Sequence, residues 1–254
     1  MGREKKISTI YILWLRQLKR YIRSRSRIVG SLGQPALFLV ALGFGFGPIF
    51  QKAGGGNYIN FLAPGVIAQG ILFTAIFSGI ELIWDRQFGF LKETLVAPVS
   101  RLEIMIGRTL GGATIATIQG IIVLLLTLIV GFRPFSLFTL PITLVLMFLT
   151  ALLFTSLGTA IASILEDFQG FQLIMNFIVM PLFFLSGALF PIQAAPQFLQ
   201  IISRLNPLAY SVDGLRESLI NSQNFGLTLD FAVLGILTII VLGIGSYLFS
   251  KIQV

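Results

Sequence analysis

The sequence contains no cysteine and no histidine. Without cysteine there are no disulfides and no thiol chemistry, and without histidine the chain lacks a common metal ligand and the usual general base near neutral pH. Charged residues are also scarce, at 11% of the 254 residues, whereas a typical soluble domain has about 25%. These absences argue against most metal-dependent enzymes and against an ordinary soluble domain.

The composition is dominated by apolar residues. Hydrophobic residues make up 56% of the chain, and the mean hydropathy is +0.92. A water-soluble fold could not bury this much apolar surface, so we predict a membrane protein, with a lipid bilayer as its surroundings. The net charge of +8 would indicate nucleic acid in a soluble protein. Here it reflects the Lys and Arg excess that orients membrane proteins, and we expect no nucleic-acid partner.

A helix needs roughly 20 mostly apolar residues to cross the bilayer core. The intervals between charged residues, trimmed at glycine and proline turn signals, predict six spans in one membrane domain over 1–254. They cover 28–50, 58–84, 103–131, 138–165, 170–190 and 231–250. We therefore predict an all-α polytopic membrane protein with external re-entrant helices over 191–221, between the fifth and sixth spans.

The N-terminal segment 7–27 carries apolar and aromatic residues at spacings of three and four, with cations mostly on the other side of the helical wheel. This pattern is typical of an amphipathic helix on a membrane surface, with aromatic anchors and cations for anionic head groups. Basic residues continue through Arg27, which is unlike a cleaved signal peptide. The alternative is a basic topogenic segment with no further role.

Cations are unevenly divided between the two sides that six spans define. Fourteen Lys and Arg residues fall on the side of the N-terminus and four on the other. Cytoplasmic loops carry the excess of cations. We therefore expect a multi-pass protein of the cell membrane (plasma or inner membrane) with both termini in the cytoplasm.

The chain has no G-x-x-x-x-G-K-[ST] phosphate loop, so we do not expect it to hydrolyse ATP by that route. Glu166 and Asp167 are adjacent, so on a helix their side chains would point apart and could not act as an acid/base pair. They are either solvated loop charges or a contact for a cytoplasmic partner. Glu81 lies near the end of a span, where an unpaired acid is costly. We expect it to join a charged network rather than a proton relay.

The polar loop 84–108 contains good helix formers over 88–97, followed by Pro98, which stops a helix. Ser100 then fits the N-cap of the next helix, with Glu103 at the third position. We predict a short amphipathic cytoplasmic helix over 88–97, which could dock into a groove on a soluble partner.

The stretch "DRQFGFLKETLVAPVSRLEIMIGR" resembles the cytoplasmic loop of the type-2 ATP-binding-cassette (ABC) permeases, with its D-R-E-x-G-T-x-E-x-L-L-x-x-P-[VI]-S-R pattern. Gln87, Phe90 and Lys92 depart from its commonest forms. A second stretch, "LSGALFPIQAAPQFLQIISRLNPLAYSVDGLRESL", is similar to the family's F-P … N-P-L-x-Y-x-[VI]-D-x-x-R block. Together with the span count and the topology, the two blocks, in order and on opposite sides of the membrane, extend the resemblance over nearly the whole chain.

The resemblance implies the membrane subunit of an exporter, in which two permease chains pair with two copies of a nucleotide-binding ATPase subunit. The second permease would be identical by default. No cofactor would bind this chain, because Mg-ATP would bind the partner. Segment 7–27 would be the connecting helix and 88–97 the coupling helix. The residues expected to couple to the ATPase are Phe88, Leu91, Lys92, Glu93, Leu95, Pro98, Arg101, Glu166 and Asp167.

The segment after the fifth span would form an external gate above the exit path. Its expected residues are Phe190, Pro191, Asn206, Pro207, Tyr210, Asp213 and Arg216. We expect Asp213 and Arg216 to pair locally. Residues expected to line the pathway, from the second and fifth spans, are Phe73, Phe77, Asn176, Phe177, Phe183 and Phe184.

Such a lining favours a lipophilic or amphipathic substrate, and a drug, a lipid, a glycan-lipid and a polysaccharide all remain open. A different function also remains open: an ATP-independent channel or transporter, or a membrane scaffold.

Overall fold

The computed structural model describes residues 2–54, 56–91, 94 and 99–252, with side chains from residue 8 onward. The described chain is helical and contains no strand. The helices are α1 (Gly2–Arg23), α2 (Arg25–Leu37), a π-helical turn (Phe38–Leu42), α3 (Gly43–Lys52), α4 (Tyr58–Phe77), α5 (Ile80–Gln87), α6 (Arg101–Val130), α7 (Leu140–Ile164), α8 (Phe168–Phe184), a 3₁₀ turn (Ile192–Ala194), α9 (Gln197–Leu205), α10 (Pro207–Ile220) and α11 (Leu227–Ser250).

Local sequence signals fix several helix ends. The Ser100 side chain accepts a hydrogen bond from the Glu103 N–H at 3.2 Å, which confirms the predicted cap of α6 and satisfies one of its free amides. At the other end of α6, Gly131 takes a left-handed conformation (φ 113°) that glycine adopts without strain. The Asn57 side chain likewise caps α4 by accepting from the Ile59 N–H. At these three ends the chain turns where a glycine or a capping side chain stands.

Five helical stretches of the described chain are long and apolar enough to cross a membrane. They are Arg25–Lys52, Tyr58–Gln87, Arg101–Val130, Leu140–Ile164 and Leu227–Ser250. The expected fifth span, 170–190, is shorter, because α8 ends at Phe184 and the chain turns there, with Gly187 at φ 78°. At 1.5 Å per residue, 17 residues extend about 25 Å, less than a hydrocarbon core of about 30 Å. The prediction of six full-length spans is therefore matched only in part.

The expected first and second spans are each interrupted. The π-helical turn follows Pro35, which lacks an amide donor inside the helix. In the second stretch, α4 ends at Phe77 and α5 begins at Ile80, so 58–84 is not one continuous helix. Gly79 at this break packs against the backbone of Gly158 in α7, so closely that a Cβ at either glycine would collide with backbone atoms. Two glycines therefore permit close approach of the helices.

Helix α4 occupies the centre of the bundle. It contacts α2, α3, α6, α7, α8 and α10, and residues 62–72 of α4 are all buried. Helix α11 packs against α7, α10 and α6, and α1 packs along α6. The side chains of α8 are largely exposed on one face, including Leu173 and Phe177. The fold therefore has a central helix and a thinly covered side formed by α2 and α8.

Candidate functional site

The described residues between α5 and α6 lie at the end of the bundle that also holds α1 and the end of α11. The Arg101 guanidinium donates to the carbonyl oxygens of Ser250 at 2.7 Å and Ile252 at 2.8 Å. These bonds join the start of α6 to the end of α11, where orphan carbonyl groups favour a cation. We call this region, with α1, the end of α5 and the loops at 88–100 and 165–167, the basic end.

Six charged side chains at the basic end form a cluster, which we call the Asp85 cluster. Its members are Glu81, Asp85, Arg16, Arg20, Arg27 and Arg108. Asp85 is at its centre and only 3% exposed. The Asp85 carboxylate accepts a hydrogen bond from Arg108 and another from Arg16 at 3.0 Å, and Arg20 lies 3.7 Å away. Several partners are what a buried carboxylate needs to offset its lost hydration.

Glu81 is one helical turn before Asp85 and is also buried. Arg27 donates to it at 2.9 Å, and Arg20 lies 4.0 Å from its carboxylate. The expected charged network at Glu81 is confirmed, with partners on α1 and α2. Because these pairs cross between helices, the cluster ties α1 and α2 to α5 and α6 immediately before Phe88.

The expected coupling residues Lys92, Glu93, Leu95 and Pro98 lie outside the described residues. Before them, Phe88 is 72% exposed, whereas Leu91 is fully buried within this chain. Phe90 is also exposed, and the Arg16 guanidinium lies 5.8 Å from its ring centre. Phe88 and Phe90 are therefore the apolar surface that the described part of this segment presents, and Leu91 anchors it to the bundle.

The 165–167 loop and the start of α8 contact the end of α5. The Arg86 guanidinium donates to the Glu166 carboxylate at 2.8 Å, and the Trp84 and Phe168 rings stack with centres 6.2 Å apart. Asp167 caps α8 by accepting from the Gly170 N–H at 2.6 Å. The two expected coupling acids thus stand beside the Phe88 segment, one in an exposed ion pair and one as a helix cap.

At the opposite end of the bundle, Arg216 of α10 is buried, and its hydrogen-bond acceptors are carbonyl oxygens rather than the Asp213 carboxylate, contrary to the expected local pairing. It donates to the carbonyl oxygens of Gly187 at 3.1 Å and Phe61 at 3.4 Å, and lies over the Phe61 ring at 4.1 Å. Burial lowers the pKa of Arg216 to about 10, against the opposing effect of Asp213. The guanidinium therefore stays protonated at neutral pH and fastens α10 to α4 and to the turn after α8.

Asp213 binds backbone amides instead of a cation. Its carboxylate accepts from the N–H groups of Asn224 at 2.8 Å and Phe225 at 2.7 Å, and more weakly from Gly226. Carboxylates that accept backbone amides make strong, charge-assisted bonds. Asp213 thereby shapes the loop that leads into α11.

The remaining expected gate residues surround α10. Asn206 caps α10 by accepting from the Leu208 N–H, with Pro207 at the first helical position, and donates to the Leu182 carbonyl at 2.6 Å. The Tyr210 hydroxyl donates to the Arg204 carbonyl, and its ring stacks on Phe225. Phe190 and Pro191 line an apolar cavity with residues of α3 and α4. The structure thus gathers all seven expected gate residues at one end of the bundle.

The expected lining residues divide into three groups. Phe73 and Phe77 line a cavity of about 220 Å³ between α2 and α4. Asn176, Phe177 and Phe184 are exposed on the uncovered face of α8. Phe183 is 1% exposed and packs edge-on against Phe38, so it is part of the interior of this chain.

Sequence reasoning missed the role of Arg108 and the amides of Gln34 and Gln69 in the α2–α4 cavity. A signal was available for each: polar or charged groups within apolar spans are costly and need a partner or a cavity. In the sequence, Arg108 counts among the cations on the side of the N-terminus, although it lies about two turns inside α6. Its buried partner, Asp85, is remote in sequence.

Comparison with known proteins identifies the family of the chain. The family model of the ABC-2 type transporter matches residues 8–220. The chain is 29% identical over 216 residues to nodulation protein J of Sinorhizobium fredii, covering 84% of this chain and 81% of that protein. It is 31% identical over 228 residues to the putative transport permease ycf38 of Pyropia yezoensis, covering 87% and 77% of the two chains.

A third relative is the inner membrane transport permease YadH of Escherichia coli, 26% identical over 224 residues, with 87% of each chain covered. A bundle of apolar helices with charged loops at one end and the family match together define a membrane transport protein. The chain belongs to the ABC-2 type transporter family and is a transport permease subunit. Permeases of this family typically work with an ATP-binding subunit.

Proposed function

We propose that the chain is the membrane subunit of an ATP-driven exporter that moves a lipophilic or amphipathic substrate out of the cytoplasm. The observation that carries this proposal is the Asp85 cluster beside the exposed Phe88 segment. The family supplies the expectation of an ATPase, and the cluster supplies a physical route from its docking surface into the membrane helices.

The ATPase subunit docks at the basic end, which faces the cytoplasm. The surface offered to it combines the exposed rings of Phe88 and Phe90 with the nearby Arg86–Glu166 pair. An apolar anchor with charged surroundings suits a groove on a soluble protein. Two ATPase copies bind Mg-ATP, and this chain performs no hydrolysis.

Movement of the docked segment reaches the bundle through Asp85 and Leu91. Asp85 is held by arginines of α1 and α6, and Leu91 is fixed in the core, so residues 85–91 cannot shift independently of these helices. A rigid segment bound to two helices transmits displacement, whereas a solvated loop would absorb it. ATP-driven approach of two ATPase subunits would thereby tilt the helices and open the path outward.

A second, identical permease chain completes the path. The exposed face of α8 carries polar Gln172 and Asn176 among apolar residues. Amides in contact with lipid tails would be costly, which favours a neighbouring helix or a water-filled passage on this side. The α10 region lies above the outer end of the path, where Arg216 and Asn206 hold it to α4 and α8.

The proposal is tested by co-expressing the chain with each candidate phosphate-loop ATPase of its source organism, followed by co-purification and assays of ATPase activity and transport in proteoliposomes. Phe88→Ala is expected to weaken association about tenfold or more, as the loss of an exposed aromatic anchor does. The matched control is Phe138→Ala, a 96% exposed phenylalanine at the opposite end.

Glu93→Ala is expected to leave the chain folded and to uncouple ATP hydrolysis from transport. Full coupling in Phe88→Ala and Glu93→Ala together would refute docking at this segment. Transport without any ATPase would favour the alternative of an ATP-independent channel or transporter.

A further inference from the structure

The α2–α4 cavity contains a buried amide without a partner. Gln69 is 1% exposed and lines the cavity. Neither its amide nitrogen nor its amide oxygen has a hydrogen-bond partner within the described residues. A buried polar group left unsatisfied is costly, because it has lost its hydration and gained no hydrogen bond in return. Such a cost, at the wall of a cavity, points to a ligand that supplies the missing bonds.

Aromatic rings and small polar groups surround this amide. The Phe73 and Phe77 rings lie nearly parallel, with centres 6.2 Å apart, and both line the cavity. Thr74 and Gln34 add a hydroxyl and a second amide to the wall. One part of the cavity wall therefore consists of apolar ring faces, and another part carries hydrogen-bond donors and acceptors. Ligand pockets combine these two kinds of surface, because apolar contact gives affinity and polar groups fix the orientation of the ligand.

The cavity has no free charge among its described lining residues. Its one cationic side chain, Arg27, is paired with Glu81 at 2.9 Å. The Tyr21 and Ser31 hydroxyls at its wall both donate to the Gln119 oxygen at 3.0 Å. A ligand with net charge would find no counter-charge here, and burial of an unpaired charge is expensive. The geometry selects an uncharged group that both donates and accepts hydrogen bonds.

Position and size define how much of a ligand enters. A volume of about 220 Å³ corresponds to about seven water molecules and is smaller than the space for a whole drug-sized molecule. Gly30 and Gln34 at its wall are exposed, and on the same helix Val29 and Leu37 present apolar side chains outward. A polar head group fits inside while an apolar tail lies along α2.

We propose that this cavity, which we call the Gln69 cavity, binds the uncharged, hydroxyl-bearing head group of an amphiphilic substrate, with Gln69 bonding its hydroxyls and Phe73 and Phe77 against its apolar face. Tyr21 and Arg27 place the cavity near the basic end, so it receives the head group before transport. This inference rests on the proposed transport function for the direction of movement, and its binding test does not depend on ATP or on a partner.

The test uses the full-length chain in lipid nanodiscs and three probes with the same short tail: hexyl β-glucoside, hexyltrimethylammonium and hexyl phosphate. Affinities are measured by saturation-transfer difference NMR titration. The neutral glucoside is expected to bind at least about tenfold more tightly than either charged probe. Gln69→Leu should weaken glucoside binding up to about tenfold, as the loss of a hydrogen-bonding amide does. The same change at Gln51, exposed at the end of α3, is the control.

A second variant fills the cavity without touching Gln69. Open space surrounds the Cβ position of both Gly30 and Gly33 on α2, and only Gly30 lines the cavity. Gly30→Leu is expected to abolish glucoside binding, and Gly33→Leu to preserve it. This pair decides the question even if Gln69→Leu affects folding, which thermal unfolding in the same nanodiscs will show.

Equal binding of the three probes, or glucoside binding unchanged by both Gln69→Leu and Gly30→Leu, would overturn the proposal. Mass photometry of the Gln69→Leu variant provides a further test. If this variant is monomeric where the unmodified chain is dimeric, and its glucoside affinity is unchanged, the amide belongs to a contact between copies and the proposal is overturned. Specific glucoside binding by a chain that recruits no ATPase would keep the Gln69 cavity and refute the exporter assignment.

Discussion

Replacement of Asp85 by alanine tests the Asp85 cluster most directly. Asp85 and Arg108 are 3% and 5% exposed, and they bond to each other in the interior. Asp85→Ala removes the carboxylate and leaves the Arg108 guanidinium buried without it. Arg16 and Arg20, which are partly exposed, can turn to water, but Arg108 cannot.

The expected loss in free energy of unfolding is about 3–5 kcal/mol, the range for breaking a buried ion pair on one side. The comparison is Glu166→Ala, which removes the same kind of group from the Arg86–Glu166 pair. Glu166 is 77% exposed, so solvent screens that pair and the expected loss is below about 1 kcal/mol. The two acids differ in burial and in the number of arginine partners, because Asp85 has three and Glu166 has one.

The double variant Asp85→Ala/Arg108→Met completes the cycle. Because it removes both buried charges and keeps much of the volume, it should recover most of the stability lost in Asp85→Ala. Equilibrium unfolding in mixed micelles, followed by circular dichroism, provides the measurement. The reasoning is refuted if Asp85→Ala costs no more than Glu166→Ala, or if the double variant is as unstable as the two single losses added.

Three further predictions concern the helix crossing and the opposite end. Gly158→Ala should lower the free energy of unfolding by about 1–3 kcal/mol, because the added methyl group overpacks the crossing. Gly235→Ala is the control, since its Cβ position faces open space, and equal stability of the two variants would contradict the close crossing. Asp213→Asn should speed amide exchange at 224–226 about tenfold or more, since charge-assisted bonds to these amides are lost; unchanged exchange would remove the role given to the carboxylate. Arg216→Lys should lower the unfolding temperature, because lysine cannot reproduce a planar guanidinium that bonds two carbonyl groups and stacks on a ring. An unchanged unfolding temperature would show that the positive charge alone suffices.

Most helix positions follow from the sequence, because the signals that set them are local. Charge-free intervals predict α6 and α7 to within two residues at each end, and Ser100, Asn57 and Gly131 mark ends through their own conformations. The shortened α8 and the break at Gly79 were not predicted. Hydropathy registers apolar residues whether or not they are helical, and the reason for Gly79 is its contact with Gly158, which is 79 residues away in the chain.

The candidate site, like the fold, could be predicted from the sequence only in part. The motifs indicate the family and the segments 88–97 and 191–221, because the residues that carry the resemblance are contiguous. The partners of those residues are remote: Asp85 meets Arg16 and Arg108, and Arg216 meets Phe61 and Gly187. No periodicity links such positions, so Arg216 was expected to pair with Asp213.

The sequence by itself determined a membrane protein, its family and the expected sidedness of its loops, since composition and local motifs carry that information. Only the tertiary structure decided which charges are paired, that Leu91 and Phe183 are buried, and that Gln69 faces a cavity without a partner. In an apolar chain nearly every residue is compatible with either lipid or a protein interior. The packing of helices against one another makes that choice, and with it the places where a polar group must find a partner.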